Sequence, residues 1–223
     1  MSETSKESLR DKLRQLPVLK GYLKHCDFDT LPETPQDAFH RWIIEAVDAG
    51  VREPHAMTLS TVDEQQRPDA RVLILKNVDS RGWHFAAKAN SPKGQQIAST
   101  GFAALTFYWR EIGRQVRIRG KVVQLPDEEC GKDFTDRPLG SRVAALGSKQ
   151  SQKLESKEHL DKSVAEAKEY LEAMPDYISP EWKVYAVQAS EVEFWQGSGD
   201  RLHQRLQYVA ESDGEWTKGE LWP

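Results

Sequence analysis

Five cationic side chains lie inside stretches that otherwise read as β-strands: Arg71, Lys76, Arg114, Arg117 and Arg119. A row of such residues is costly to bury without an anion, so the strands that carry them are expected to hold one. Lys93 and Gln115 join the set, and Ser91, at an expected helix start, adds a hydroxyl and free backbone N–H groups. Guanidinium forks on rigid strands are the donors a phosphate asks for. The competing interpretation is that Arg and Lys on a strand's solvent face are ordinary. Strict alternation also sets Arg71 and Lys76 on opposite faces, so they serve one ligand only across a bulge or a subunit boundary.

A second group is Glu193-Phe194-Trp195-Gln196-Gly197 followed by Arg201-Leu202-His203-Gln204-Arg205. Arg201, His203 and Arg205 share parity and can line one wall, and a tryptophan beside a polar wall suits the edge of a flat conjugated ring. His203 equally suits a structural, hydrogen-bonded role. The third group, Arg137-Pro138-Leu139-Gly140-Ser141 with Gln150-Ser151 beyond, is a basic turn with hydroxyls or simply a helix stop. The six histidines and two cysteines have no metal-ligand spacing, and neither a Gly-rich dinucleotide loop nor a GxSxG elbow occurs.

The elements that must position these residues follow from residue order. Residues 56–120 contain four or five short runs rich in β-branched and aromatic residues, separated by DEQQRPD, DSRG and REIG. They predict a small antiparallel sheet closing on itself, with Gly120 marking a bulge or a bend where a small barrel turns a corner. Thr34-Pro35-Gln36-Asp37 predicts a helix start, Phe39, Trp42, Ile43 and Val47 follow at helical spacing, and Gly50 ends the helix. Ser91-Pro92 opens a short helix. An acidic first turn at 127–129 opens another, running to about 137; residues 139–151 read as irregular, and 156–173 as a helix. Two late strands, 182–188 and 192–195, and a segment 201–209 return to the first sheet. The domain reading is a flexible arm over 1–33 and one domain over 34–223, with a helical insertion at about 126–173.

The chain has 223 residues, enough to bury a substantial core, with 31 Lys and Arg against 35 Asp and Glu. That near-balance gives no general attraction for nucleic acid. No apolar run approaches a membrane span, the start has no secretory h-region, and two distant cysteines fit a reducing, cytoplasmic setting. The residues alone reach a mainly β protein with peripheral helices (α+β) that binds an anionic, aromatic ligand. They do not reach a reaction.

The segments PHAMTLSTVD, RPDARVLILK, SPKGQQIA, FYWREIGRQVRIRG, RPLGSRVAALGSKQS, VEFWQG and DRLHQRLQY resemble, in order, the pyridoxine/pyridoxamine 5'-phosphate oxidase family from about residue 34 to 223. The resemblance implies a Greek-key-like, FMN-binding split β-barrel that forms a homodimer, with each flavin site lined by both subunits and a small-molecule substrate. Arg71, Lys93, Gln115, Gln150, Ser151, Trp195 and Arg205 fall on its flavin-binding positions. Lys76, Arg137 and Ser141 fall where substrate phosphate is held, and Arg201 and His203 where the pyridine ring lies over the flavin. Leu9-Arg10 resembles the segment that covers substrate. The implied reaction oxidises the 4'-alcohol or 4'-amine to the aldehyde, with dioxygen yielding peroxide. Asp133 stands where the family has a tyrosine on the substrate phosphate, and a carboxylate there repels that phosphate unless it turns away or pairs with Arg137. Leu139, Pro92 and Trp182-Lys183-Val184-Tyr185 also depart from the pattern. Val51-Arg52-Glu53-Pro54 and Tyr108-Trp109-Arg110-Glu111 resemble the phenazine-biosynthesis branch, whose tricyclic substrate has no phosphate.

Overall fold

A computed structural model describes residues 8–19 and 26–223. Helix α1 (Leu9–Gln15) precedes α2 (Pro35–Asp48), then β1 (Ala56–Val62), β2 (Pro68–Asp79), β3 (Gly82–Lys88), α3 (Pro92–Thr100), β4 (Phe102–Trp109) and β5 (Arg114–Gln124). Helices α4 (Asp127–Thr135), α5 (Leu139–Gly147) and α6 (Lys157–Ala173) follow. The chain ends in β6 (Trp182–Gln196), β7 (Gln204–Ala210) and β8 (Trp216–Glu220).

All strand pairs are antiparallel, in the order β3-β2-β1-β4-β5-β6-β7-β8, and β3 also pairs with β6. That last pairing closes six strands into a barrel, while β7 and β8 extend outward from β6. This is a split-barrel fold of the expected α+β class. Alternation fills its interior: Met57, Leu59, Leu105, Phe107, Val116 and Ile118 point inward and are buried.

The cap on α2 is reciprocal. Thr34 Oγ1 accepts the Asp37 backbone N–H and donates to the Asp37 carboxylate, and Gly50 follows the helix at φ +73°. The helix then buries Phe39 and Trp42 edge-on against Phe107 and Phe194, with ring centroids 4.9 and 5.0 Å apart. Fully burying side chains of this size stabilises by about 1.5–3 kcal/mol each. Gly120 lies at the expected bulge, where β5 and β6 shift register between Arg119 and Gly120.

Four features differ from the sequence reading. Residues 139–151 are not wholly irregular: α5 occupies most of them, because Val143 buries against Ala167 and Leu171 of α6 and tertiary packing outweighs the glycines. The two late strands are one strand, β6, which carries through Ala189 and the unpaired Ser190 at the bulge opposite Gly120. Strand β8 was not anticipated. The packed body also begins before residue 34, since Cys26, Phe28 and Leu31 are buried and Tyr208 Oη donates to the Pro32 carbonyl at 2.7 Å. Of the expected arm, 1–7 and 20–25 lie outside the described residues, and α1 buries none of its residues. Among the described residues no helix is long and apolar enough to cross a membrane.

Candidate active site

The candidate residues form three clusters. In the first, Arg71 on β2 donates through Nη1 to Thr61 Oγ1 at 2.5 Å, and its Nη2 meets Asp69 and Gln96 Oε1. Next to it, Ser91 caps α3 and Lys93 follows Pro92 in the first turn, so both side chains project from a fixed helix start. Lys93 Nζ donates to Gln150 Oε1 at 3.0 Å and to Ser91 Oγ at 3.3 Å. Lys93 is only 5% exposed. Burial, and after it the Arg71 charge, push its ammonium below the ordinary lysine value. Ser151 follows Gln150 at φ +66°, and both line a cavity of about 340 Å³ between the α5–α6 connection and α6.

In the second cluster, Lys76 is the extra residue of a β2 bulge: Leu75 pairs with Phe85 and Asn77 with His84. This is the irregularity that lets Arg71 and Lys76 depart from strict alternation. Lys76 Nζ lies 2.9 Å from Asp133 Oδ1, and Trp182 Nε1 donates to Asp133 Oδ2 at 2.8 Å. The Arg137 guanidinium sits 4.0 Å from the centre of the Trp182 ring and donates through Nη2 to the Ser141 carbonyl at 3.2 Å. Arg137 Nε is buried without a partner among the described residues. Burial pushes the Arg137 guanidinium below its ordinary value, against the opposing pull of Asp133.

The third cluster runs across β5, β6 and β7, where Gln115 pairs with Trp195 and Trp195 with Arg205. Arg205 Nε donates to Glu193 Oε1 and its Nη1 to the Trp222 carbonyl, both at 2.9 Å. The His203 ring lies 4.8 Å from the Trp195 ring, centre to centre. Ser198 N–H donates to His203 Nδ1 at 3.1 Å; a backbone N–H can only donate, so a neutral ring carries its proton on Nε2. Asp200 Oδ1 accepts Ser198 Oγ–H and the Leu202 N–H, and between them Arg201 adopts φ +72°. Arg201 therefore lies in a left-handed turn before β7, and the expected shared parity of Arg201, His203 and Arg205 does not apply to it. Leu19 packs on Gly197 at this end of β6.

Three of the strand cations answer a different need. Arg114 is 2% exposed, but its anion is internal: Nη1 lies 2.8 Å from Glu45 Oε2, Nε donates to Gln196, and the guanidinium covers Trp42 at 4.4 Å. Arg117 and Arg119 pair across the strand with Glu193 and Glu191 on the outer face. The expectation of a ligand anion for these three is corrected by these carboxylates. Arg10 lies on exposed α1, and the structure does not bring it to any of the clusters. Thr61, Asp69, Gln96 and Trp182 complete the clusters and are not among the candidate site residues of the sequence, whereas Glu193, which opens its second group, is the partner of Arg205. Only tertiary contacts identify the first four: cross-strand register for Thr61 and Asp69, and the packing of α3 and α4 for Gln96 and Trp182.

Trp182 and Trp195 stand near opposite ends of β6, which has 15 residues; at about 3.3 Å per residue some 40 Å of strand separates them. Trp182 belongs to the second cluster, and β3, which pairs with that end of β6, leads through Lys88 to Ser91 and Lys93.

Residues 43–171 match the family model described as pyridoxamine 5'-phosphate oxidase. The chain belongs to the pyridoxine/pyridoxamine 5'-phosphate oxidase family. Residues 182–223 match the C-terminal dimerisation region of pyridoxine 5'-phosphate oxidase, which supports a homodimer. A pyridoxine/pyridoxamine 5'-phosphate oxidase of Paraburkholderia phymatum is 41% identical over 206 residues, covering 92% of this chain and 96% of the relative. The one from Pseudomonas fluorescens is 42% identical, covering 86% and 90%. Among solved structures, PhzG from Burkholderia lata in complex with tetrahydrophenazine-1-carboxylic acid aligns with TM-score 0.84 and 32% identity, covering 91% of this chain and all of that one. The family and its named relatives are oxidoreductases, and this chain is of that type.

Proposed function

We propose that the chain is an FMN-dependent oxidase of pyridoxine 5'-phosphate or pyridoxamine 5'-phosphate, forming pyridoxal 5'-phosphate with dioxygen as acceptor and hydrogen peroxide as product. It works as a cytoplasmic homodimer, where the free, buried Cys26 and Cys130 stay reduced. One observation carries the reading. Residues that resemble flavin contacts stand at both ends of β6, so one ligand can collect both sets only where two protomers meet. The dimerisation match over 182–223 and the exposed apolar Val72 and Ile74 on β2, beside Arg71, support such a meeting.

The residues fit FMN. Lys93 is a buried ammonium whose hydrogen-bond partners among the described residues are neutral oxygens, and a phosphate would supply the missing negative charge. Arg71, Ser91, Lys93, Gln150 and Ser151 would hold the phosphate-bearing part; Gln115, Trp195 and Arg205 of the other protomer would border the ring. Bound FMN supplies a two-electron acceptor that dioxygen restores.

Within this site the protein's work is orientation and charge. Arg205 has Nε and Nη1 already engaged, which leaves Nη2 for a ligand. Arg137 and Ser141 take the substrate phosphate beside the Lys76–Asp133 pair, Arg137 through a guanidinium already stacked on Trp182. Arg201, held in its turn by Asp200, presents its fork to the reacting end of the substrate. His203 offers the Nε2 proton as a hydrogen-bond donor to the ring substituent.

A second reading, an FMN oxidase of a non-phosphorylated or reduced tricyclic ring, is favoured by the Lys76–Asp133 pair and by the likeness to PhzG. A peroxide assay on FMN-loaded protein separates the two. Peroxide from the phosphorylated alcohol or amine supports the first reading. Peroxide only from unphosphorylated pyridoxine or a reduced phenazine precursor supports the second, and none from any of them overturns both.

A further inference from the structure

The lysine expected to meet a ligand's phosphate already has an anion. Asp133 Oδ1 lies 2.9 Å from Lys76 Nζ, and Oδ2 accepts the Trp182 indole N–H at 2.8 Å, so both carboxylate oxygens are engaged. This arrangement is anchored from three elements: Lys76 on the β2 bulge, Asp133 on α4, and Trp182 at the start of β6. The side chains of Lys76 and Asp133 are 33% and 21% exposed, so the pair sits at the mouth of the cluster and not in open solvent. Arg137, stacked over the ring whose N–H edge Asp133 holds, keeps a buried Nε with no partner among the described residues. Among the described residues the cluster therefore holds two cations and one fixed anion.

A phosphate monoester arriving here carries close to two negative charges and must approach Lys76 within contact distance of the Asp133 carboxylate. Its gain from Lys76 is offset by repulsion from Asp133 or by the loss of the existing pair. An uncharged hydroxymethyl group, or a singly charged carboxylate that reaches only Arg137, meets no such opposition. We infer that Asp133 is a specificity-determining residue: it fills the anion position at Lys76 from within, and so brings the site's preference for a phosphorylated ring substrate close to its preference for an unphosphorylated or carboxylated one. This rests on the reading above that the Lys76–Arg137 end receives the substituent of an aromatic ring.

The test uses ligands that bind without reacting. 4-Deoxypyridoxine 5'-phosphate and 4-deoxypyridoxine have a methyl group at the oxidisable position, and they differ only in the phosphate. Their dissociation constants are measured by calorimetry on the full-length, FMN-loaded protein, for the unaltered chain and for Asp133→Asn. The asparagine oxygen still accepts the Trp182 N–H. Removing the carboxylate charge is expected to tighten the phosphorylated probe roughly tenfold or more while the unphosphorylated one changes less than about threefold. Lys76→Met provides an independent arm: it should weaken the phosphorylated probe less than about threefold in the unaltered chain but roughly tenfold in the Asp133→Asn background, because only there is Lys76 free. Ring probes that bind with the same ratio in both proteins overturn the inference and leave the oxidase reading standing, as does an equal loss of both probes. Inorganic phosphate is titrated in parallel. If neither ring probe binds but Asp133→Asn gains phosphate binding, the oxidase reading and the ring-substrate preference both fail, and only the filling of the anion position at Lys76 by Asp133 stands; if neither probe nor phosphate distinguishes the two proteins, the inference is refuted.

Discussion

Glu193 is the residue through which Arg205 is held, and its replacement gives a quantitative prediction. Its carboxylate, with the side chain 7% exposed, accepts Arg205 Nε at 2.9 Å through one oxygen and Arg117 Nη1 at 3.1 Å through the other. Glu193→Gln keeps the shape but leaves one acceptor oxygen for two guanidinium donors. A hydrogen bond between charged groups contributes about 1.5–3 kcal/mol where buried. Arg117 is half-exposed and Arg205 partly so, which reduces the sum to about 1–2 kcal/mol. In a chain of this size that corresponds to a fall in Tm of roughly 3–6 °C. An Arg205 no longer held in place must be ordered by the ligand, at about 0.5–1.5 kcal/mol for a long side chain. FMN should then bind roughly 2- to 12-fold more weakly, measured by quenching of flavin fluorescence on titration into apoprotein. Arg117→Ala is the control: it removes the outer partner only, and FMN affinity should stay within about twofold. Unchanged FMN affinity in Glu193→Gln, or equal weakening in both variants, would refute the positioning role of this carboxylate.

Three further predictions follow from other parts of the fold. A Cβ on Gly120 would lie 2.0 Å from the Gln188 carbonyl oxygen, so Gly120→Ala should destabilise by about 3 kcal/mol or more, read as a shift of the urea midpoint; a midpoint within error of the parent contradicts the close approach at the bulge. Asp200→Ala should lower kcat/KM roughly tenfold by releasing the turn around Arg201, while Asp200→Asn, which still accepts the Leu202 N–H, recovers most of it and Tm barely moves; full activity in the alanine variant removes Asp200 from the account. Burial holds the His84 imidazole below its ordinary value of 6.5 despite Asp79 at 3.0 Å, so the unfolded chain takes up that proton first: the stabilisation from neutral His84 is present above about pH 6.5 and lost as the pH falls. His84→Gln should therefore flatten the decline in Tm between pH 7.5 and 5.5, and an unaltered slope assigns that decline to another group.

Local chemistry was legible wherever a short-range rule operates. The Thr34 cap, the Ser91-Pro92 start of α3, the turns that bound β1 to β3 and the bulge at Gly120 all depend on residues within a few positions of each other. Helix α5 was hidden because its two glycines argue locally for a loop, whereas Val143 gains its place from α6, more than twenty residues later. The continuity of β6 was hidden for the same reason, since a bulge opposite Gly120 accommodates Ser190. For the site, the residue types pointed to anion binding, but the partners of Arg114, Arg117 and Arg119 lie 69, 76 and 72 positions away. Only the register of β5 against β6, and the packing of α2, turn these three from candidate ligand contacts into internal ion pairs. The bulge at Lys76 and the Asp133–Trp182 contact are equally tertiary. The resemblance to a family supplied the roles of Arg201 and His203, which no local rule supplies.

The central claim is that each flavin site combines the Arg71–Lys93 end of one protomer with the Trp195–Arg205 end of the other. It is tested by mixing two inactive proteins, one carrying Arg71→Ala with Lys93→Ala and the other Trp195→Ala with Arg205→Ala, after each has been found to bind no FMN alone. In a heterodimer one site collects all the damage and the other none. The account predicts that re-associated material recovers one tightly bound FMN per heterodimer. Verified heterodimers that bind no FMN would contradict it.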